Sequence, residues 1–343
     1  MNIRIKSFLI IPCMAFALHA AAQKPTINIL DSGRKTSIRG LSVVDDNIIW
    51  ASGSSGSVAR SLDGGKTFEW QTVTGYEKRD FRDIEAFDAN TAIIMAVAEP
   101  AVILKTKDAG KSWYKVFEDT TKGMFLDAMD FIQNKFGVVI GDPIDNKIFL
   151  AVTEDAGEHW KKVDSKVKVK DGEALFASSG TNIKIVWNKE DRIADFLFVT
   201  GGKSSNLFLY PDQKKSLDLI QGTESTGANS IAINMVDSTG IIVGGDFKND
   251  TTSSANCVLL KFNAGIFYSK PQTPPHGYRS CVEYLTKNKL ITCGTSGVDL
   301  STDGGVNWQL ISTKSFHVCQ KAKNGIAIFL AGANGKIAKL EYD

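Results

Sequence analysis

Three arginines stand at the heads of short β-rich runs: Arg39 in Ile38-Arg39-Gly40, Arg82 in Phe81-Arg82-Asp83 and Arg279 in Tyr278-Arg279-Ser280. Acidic residues take the comparable place elsewhere: Asp83 beside Arg82, Asp127 after Leu126, and Glu173 after Gly172. The remaining heads are Asn229-Ser230 and Phe316-His317. A guanidinium grips a carboxylate through two parallel hydrogen bonds, so arginines gathered at one mouth suit a peptide terminus, an acidic loop or an acidic sugar. A second set of positions follows the next apolar run of each unit: Ser54, Glu99, Asp142, Gly202, Asp246, Thr295 and Ala333. If the two runs form an antiparallel hairpin, the end of the second lies near the start of the first. Candidate ligand- or partner-binding residues are therefore Arg39, Arg82, Asp83, Asp127, Asp142, Glu173, Asp246, Arg279 and His317. The competing reading is that these charges satisfy one another and hold neighbouring units in register.

Other chemistries find little purchase. Of the four histidines, His19 lies in an apolar leader, His159 in a repeated turn and His276 after a proline pair; only His317 falls in the candidate column. No metal-ligand spacing occurs, and no dinucleotide fingerprint opens a helix after a strand, so no cofactor or metal is implied. The chain has 40 basic and 38 acidic residues. Without the leader, which holds Arg4 and Lys6 and no acid, the two kinds balance, against the basic face expected of a nucleic-acid binder.

That leader has the layout of a secretory signal. A basic start is followed by an almost wholly apolar stretch from Phe8 to Leu18, then Ala20-Ala21-Ala22 as a cleavage site. Residues 1–22 are read as a signal peptide, 23–343 as one domain, and the destination as extracytoplasmic after cleavage near Ala22. The apolar stretch is too short to span a bilayer, no second one follows, and Pro12 beside Cys13 fits a lipid-anchor site poorly. Four cysteines remain, Cys257, Cys281, Cys293 and Cys319. Cys281 and Cys293 flank a turn where either a disulfide or two buried thiols fit.

The elements that position the charges come from an internal repeat. Ser61-Leu-Asp63-Gly-Gly65-Lys-Thr-Phe68 returns as Thr106-Lys-Asp108-Ala-Gly110-Lys-Ser-Trp113, Thr153-Glu-Asp155-Ala-Gly157-Glu-His-Trp160 and Ser301-Thr-Asp303-Gly-Gly305-Val-Asn-Trp308. Worn copies lie around Asn263 and Asp212, giving periods of 40 to 57 residues, the length of a four-stranded propeller blade. Asp63, Asp108, Asp155 and Asp303 are structural in this reading: a short carboxylate accepts backbone N–H groups of a tight turn, and the aromatic residue buries area. Seven second strands are countable, from Asn47-Ile-Ile-Trp-Ala to Ile326-Ala-Ile-Phe-Leu, with no sustained helical period. The seventh unit is one strand short, and Thr26-Ile-Asn-Ile-Leu30 can supply it. The expected fold is all-β, a seven-bladed propeller of four-stranded blades closed by the N-terminal strand.

With these boxes the sequence resembles the Asp-box, or bacterial neuraminidase repeat, superfamily over residues 26 to 343. It is most similar there to the photosystem II stability/assembly factor-like propellers and their non-photosynthetic bacterial relatives. The resemblance implies that any site lies on the central face rather than at the boxes. A sialidase of that superfamily would also need an Arg-Ile-Pro element and a Tyr/Glu nucleophile pair. Here Arg39 is followed by Gly40-Leu41, and Tyr278 stands beside Arg279. The functional expectation is a monomeric binding or assembly module taking a protein segment or a polar or carbohydrate ligand at its central face. The alternative is a glycoside hydrolase using paired channel carboxyls, with no catalytic residue assigned.

Overall fold

The structure, a computed structural model, describes residues 24–188, 193–211 and 213–342. The leader and Asp212 of the worn repeat lie outside the described residues. Among the described residues all regular structure is β, and the strands form seven antiparallel sheets. No helix there is long and apolar enough to cross a membrane.

The first sheet shows the plan: Ile38–Val43, Ile49–Gly53, Ser57–Ser61 and Glu69–Thr72 pair in chain order. Its second strand is buried at every residue, as are Ala92–Ala96 and Leu290–Gly294 in later sheets. Continuous apolar runs such as Ala-Ile-Ile-Met-Ala suit that place, because neighbouring sheets cover both faces. The outermost strands, such as Glu69–Thr72, are partly exposed and polar.

Successive first strands touch one another around the molecule: Ile38–Val43, Phe81–Ala86, Leu126–Ile132, Ile183–Asn188, Thr226–Asn234, Cys281–Tyr284 and Val318–Lys321. The last returns to the first, which closes a ring. The fold is a β-propeller. The seventh sheet is completed from the other end of the chain. Pro25–Asp31 lies antiparallel to Ile337–Tyr342, from Pro25 opposite Tyr342 to Asp31 opposite Ile337. That pairing ties the termini together and covers an open sheet edge.

One sheet departs from the four-stranded expectation. The fifth has six strands, because Glu173–Ala174 pairs with Gly201–Gly202 and that pair extends Thr226–Asn234. The fourth sheet begins only at Ile183–Asn188.

The repeated boxes sit where the third strand turns toward the fourth. In each, the leading hydroxyl bonds the Asp carboxylate and accepts the N–H of the box glycine, as Thr106 Oγ1 does with Asp108 at 2.8 Å and Gly110 at 2.9 Å. The carboxylate then accepts the backbone N–H and side chain of the residue four positions on, Ser112 at 2.9 and 2.6 Å. Boxes at Asp63, Asp155 and Asp303 repeat this. Hydrogen bonds from Thr67 and Ser112 hold Asp63 and Asp108 down to about 2. Glycine is required at Gly157, with φ of 79°, because a Cβ there would lie 2.2 Å from Ile93 in the preceding sheet. The copy around Asn263 lacks the leading hydroxyl, Lys261 standing in its place, and folds as a plain hairpin between Cys257–Phe262 and Ile266–Ser269.

Cys281 lies directly opposite Cys293 on paired strands. These two, Cys257 and Cys319 are free, buried thiols.

Candidate functional site

The central cavity is built by a bulge that recurs in the first strands. Pairing slips between Ile38 and Gly40, Phe81 and Asp83, Leu126 and Ala128, and Ala228 and Ser230. The extra residues are Arg39, Arg82, Asp127 and Asn229. A bulge re-aims the side chain it carries, so one polar residue per sheet leaves the stack. The residue before it anchors the strand: the N–H groups of Ile38, Leu126, Arg279 and Phe316 donate to carbonyls of the preceding sheet, Gly332, Val97, Gly244 and Gly294. By this count Ser280 and His317 take the bulge position in sheets six and seven, and Ser178 reaches the same place from the connection before sheet four. All seven residues line one cavity of about 430 Å3. Phe125, Phe176, Phe247 and Tyr278 add an aromatic wall, and Asp142, Glu224 and Thr295 add polar groups.

The charges in this cavity are unevenly satisfied. Arg39 is half-buried and forms no ion pair among the described residues; its Nη1 donates only to the Ser178 carbonyl at 3.2 Å. Burial, and then the neighbouring Arg82, make its positive charge less favourable. Arg82 is held by Asp80 at 2.8 Å and lies over the Phe125 ring. Ser178 and Tyr278 both donate to Asn229 Oδ1, at 2.7 and 2.9 Å, so these three groups satisfy one another. Asp127 has no accessible surface, and neither carboxyl oxygen has a hydrogen-bond partner at bonding geometry. Burial raises it well above the carboxylate range and the nearby Asp142 adds to this, while Arg82 opposes it. Asp142, raised mainly by burial, accepts the Leu175 N–H at 2.9 Å. His317 is pushed down to about 3 by burial and by Arg39, Lys336 and Arg82, so it is neutral; its Nε2 meets Ser37 Oγ at 3.2 Å.

Four predicted site residues lie elsewhere. Arg279 does not line the cavity: it is fully buried, paired through Nε with Asp299 Oδ2 at 2.7 Å, while His276 Nδ1 meets the other oxygen at 2.8 Å. It occupies the anchor position that Ile38, Leu126 and Phe316 fill in other sheets, so the column was read one residue early there. Glu173 is likewise out of the column. Buried in the short extra pairing of the fifth sheet, it is held by Thr200 at 2.6 Å, Asn206 at 2.7 Å and Lys214 at 2.9 Å. Asp83 follows the bulge and is buried, accepting the N–H groups of Ile84 and Met129, each at 2.8 Å. Asp246 caps its own turn, bonding the Lys248 N–H at 3.0 Å and Asn249 Nδ2 at 2.7 Å. Arg39, Arg82, Asp127, Asp142 and His317 are brought together. Sequence reasoning missed Ser178, the aromatic wall and Glu224. Phe176 and Phe247 lie outside the regular first strands, where periodicity carries no signal. Among the described residues no group of three or more His, Cys, Asp or Glu side chains could hold a metal ion.

Comparison with known proteins bears on this architecture. Residues 21–123 match the family described as photosynthesis system II assembly factor YCF48. Over these residues the chain is similar to the BNR-type repeats of that assembly factor. Among solved structures, one described as YCF48 bound to D1 peptide superposes with a TM-score of 0.65 at 16% identity, covering 95% of this chain and 97% of that one. YCF48 from Cyanidioschyzon merolae gives 0.64 at 15% identity, covering 94% and 99%. The GH74 enzyme of Niastella koreensis gives 0.62 at 13% identity, covering 91% of this chain and 53% of the enzyme. At these identities the likeness is one of fold. No curated protein sequence matches the chain.

Proposed function

We propose that this chain is a seven-bladed propeller that works as a protein-binding or assembly module, holding an extended segment of a partner against its central cavity. The observation that carries this reading is Arg39, a half-buried guanidinium at the cavity wall with no carboxylate partner among the described residues. Beside it stand Arg82 and the wall of Phe125, Phe176, Phe247 and Tyr278. Arginine and aromatic side chains in a concave site are the residue types that dominate binding energy at protein interfaces. Phe247 is 45% exposed, an apolar contact at the rim. The partner group that meets Arg39 is a carboxylate, either a chain terminus or an acidic side chain. A similar fold described as bound to a D1 peptide lends the peptide reading support. In this reading residues 1–22 are removed, and residues 23–343 act as a monomer outside the cytoplasm.

A hydrolase needs two carboxyls flanking an accessible bond. Asp83, Asp127, Glu173 and Asp246 are buried, so of the predicted carboxyls only half-buried Asp142 opens on the cavity, with Glu224 the other accessible carboxyl in its wall and Arg39 and Arg82 beside them. Binding is therefore the better reading.

The test places a photo-crosslinking phenylalanine analogue at Phe247 and exposes the mature protein to native envelope extract. The expected result is a crosslinked partner segment, mapped by mass spectrometry, that disappears when Arg39 and Arg82 are both changed to Gln. Crosslinks that survive that change, or that form equally from the analogue placed at exposed Leu62 on the periphery, would overturn the reading.

A further inference from the structure

The cavity is dipolar. Sheets one and two contribute Arg39 and Arg82, whereas sheet three contributes Asp127 from its first strand and Asp142 from its second. The remaining wall groups are already spent: Ser178 and Tyr278 on Asn229, and Arg82 on Asp80. Asp127 and Thr295 are the exceptions: neither carboxyl oxygen of Asp127 and not the Thr295 hydroxyl has a hydrogen-bond partner at bonding geometry, although the backbone N–H groups of Asp142 and Ala177 favour the Asp127 anion. Taking such a group out of water uncompensated is costly, and a native fold retains the cost where something else is to meet it. Asp142 lines the same cavity, half-buried, with one oxygen accepting from the Leu175 N–H. No described lysine or arginine lies within ion-pair distance of either carboxyl.

We propose that the carboxyl pair is a second, cation-binding half of the cavity: Asp142 takes an ammonium or guanidinium directly, and the Asp127 oxygens in the same wall are further acceptors for it. Resting on the carboxylate-binding role of Arg39, this identifies the segment held: a free chain terminus whose last residue is lysine or arginine. The terminal carboxylate meets Arg39, and the basic side chain of the same residue crosses the cavity to sheet three. A cavity of about 430 Å3 lies in the range that encloses a drug-sized ligand or a short peptide end. The apolar stem of a lysine or arginine packs on the aromatic wall while its charged tip reaches the acids.

Fluorescence anisotropy tests this with three labelled hexapeptides, identical except at the end: lysine with a free carboxylate, alanine with a free carboxylate, and lysine as the amide. Wild type should prefer the lysine acid over the alanine acid by about tenfold, the equivalent of one charge-assisted contact. Asp142→Asn and Asp127→Asn should each narrow that preference without weakening the alanine acid, whose retained binding also shows that the variants are folded. Equal binding of the two acids by wild type, or a lysine preference that survives in both variants, would overturn the inference while leaving the role of Arg39 standing. If neither acid binds better than the amide, the carboxylate reading itself fails and the inference falls with it.

Discussion

The periphery and the centre of this propeller treat their carboxyls in opposite ways. At the boxes each Asp accepts several hydrogen bonds, and its charged form is stabilised, to about 2 at Asp63 and Asp108. In the cavity Asp127 and Asp142 are disfavoured as anions by burial, and neither Asp127 oxygen has a hydrogen-bond partner at bonding geometry among the described residues. Two arginines read from the sequence as equivalents divide the same way. Arg279 is consumed by Asp299 in the interior, whereas Arg39 lines the cavity with no ion pair among the described residues. A charge that the fold has already satisfied holds the scaffold together. One left unsatisfied in a concave wall is available to a ligand.

The largest effect expected from this contrast is at Arg279. Arg279→Met should destabilise the protein by about 3–5 kcal/mol in urea unfolding, since it strands a buried carboxylate. A loss below about 1 kcal/mol would show that Asp299 is satisfied without it. Next comes the box hydroxyl. Thr106→Val removes the acceptor of the buried Gly110 N–H and should cost about 1–3 kcal/mol.

Acid titration separates the two regions by sign. A box Asp has a folded value below its ordinary 3.8, so its contribution is present above that value and is lost as pH falls toward about 2. Asp108→Asn should therefore destabilise at pH 6 and have little effect near pH 2. Asp127 has a folded value raised well above 3.8, so it keeps its proton in the fold while the unfolded chain ionises, and stability is lost as pH rises past 3.8 toward that folded value. Asp127→Asn should accordingly stabilise at neutral pH and do least below pH 3.8. Unfolding midpoints of both variants across this range should move in opposite directions, and movement in the same direction would break the contrast. The smallest stability effect is at Arg39, where Arg39→Gln should stay within about 0.5 kcal/mol of wild type. A large loss there would make Arg39 a scaffold residue like Arg279.

The boxes were legible because their chemistry is local: a hydroxyl, a carboxylate and a glycine within five residues dictate one turn, whatever surrounds it. The ring of strands followed from the period, and the closing strand from a solitary apolar run at Thr26 to Leu30. The cavity was only partly legible. Arg39, Arg82 and Asp127 share a strand-head column that the residue types mark, whereas Arg279 imitates them one position away, where only the backbone pairing reveals the shift. Glu173 misled for another reason. The connection before Ile183 is long, and its acidic residue is used to bury a short extra pairing. Phe176 and Phe247 converge from segments distant in sequence, which no local pattern records.

The most direct test of the central claim is affinity selection from an immobilised peptide library synthesised with free and with amidated ends, using wild type and Arg39→Gln side by side. The account predicts that wild type enriches free-carboxylate peptides, that amidation abolishes the enrichment, and that Arg39→Gln enriches none of them. Enrichment indifferent to both amidation and the Arg39 change would contradict it.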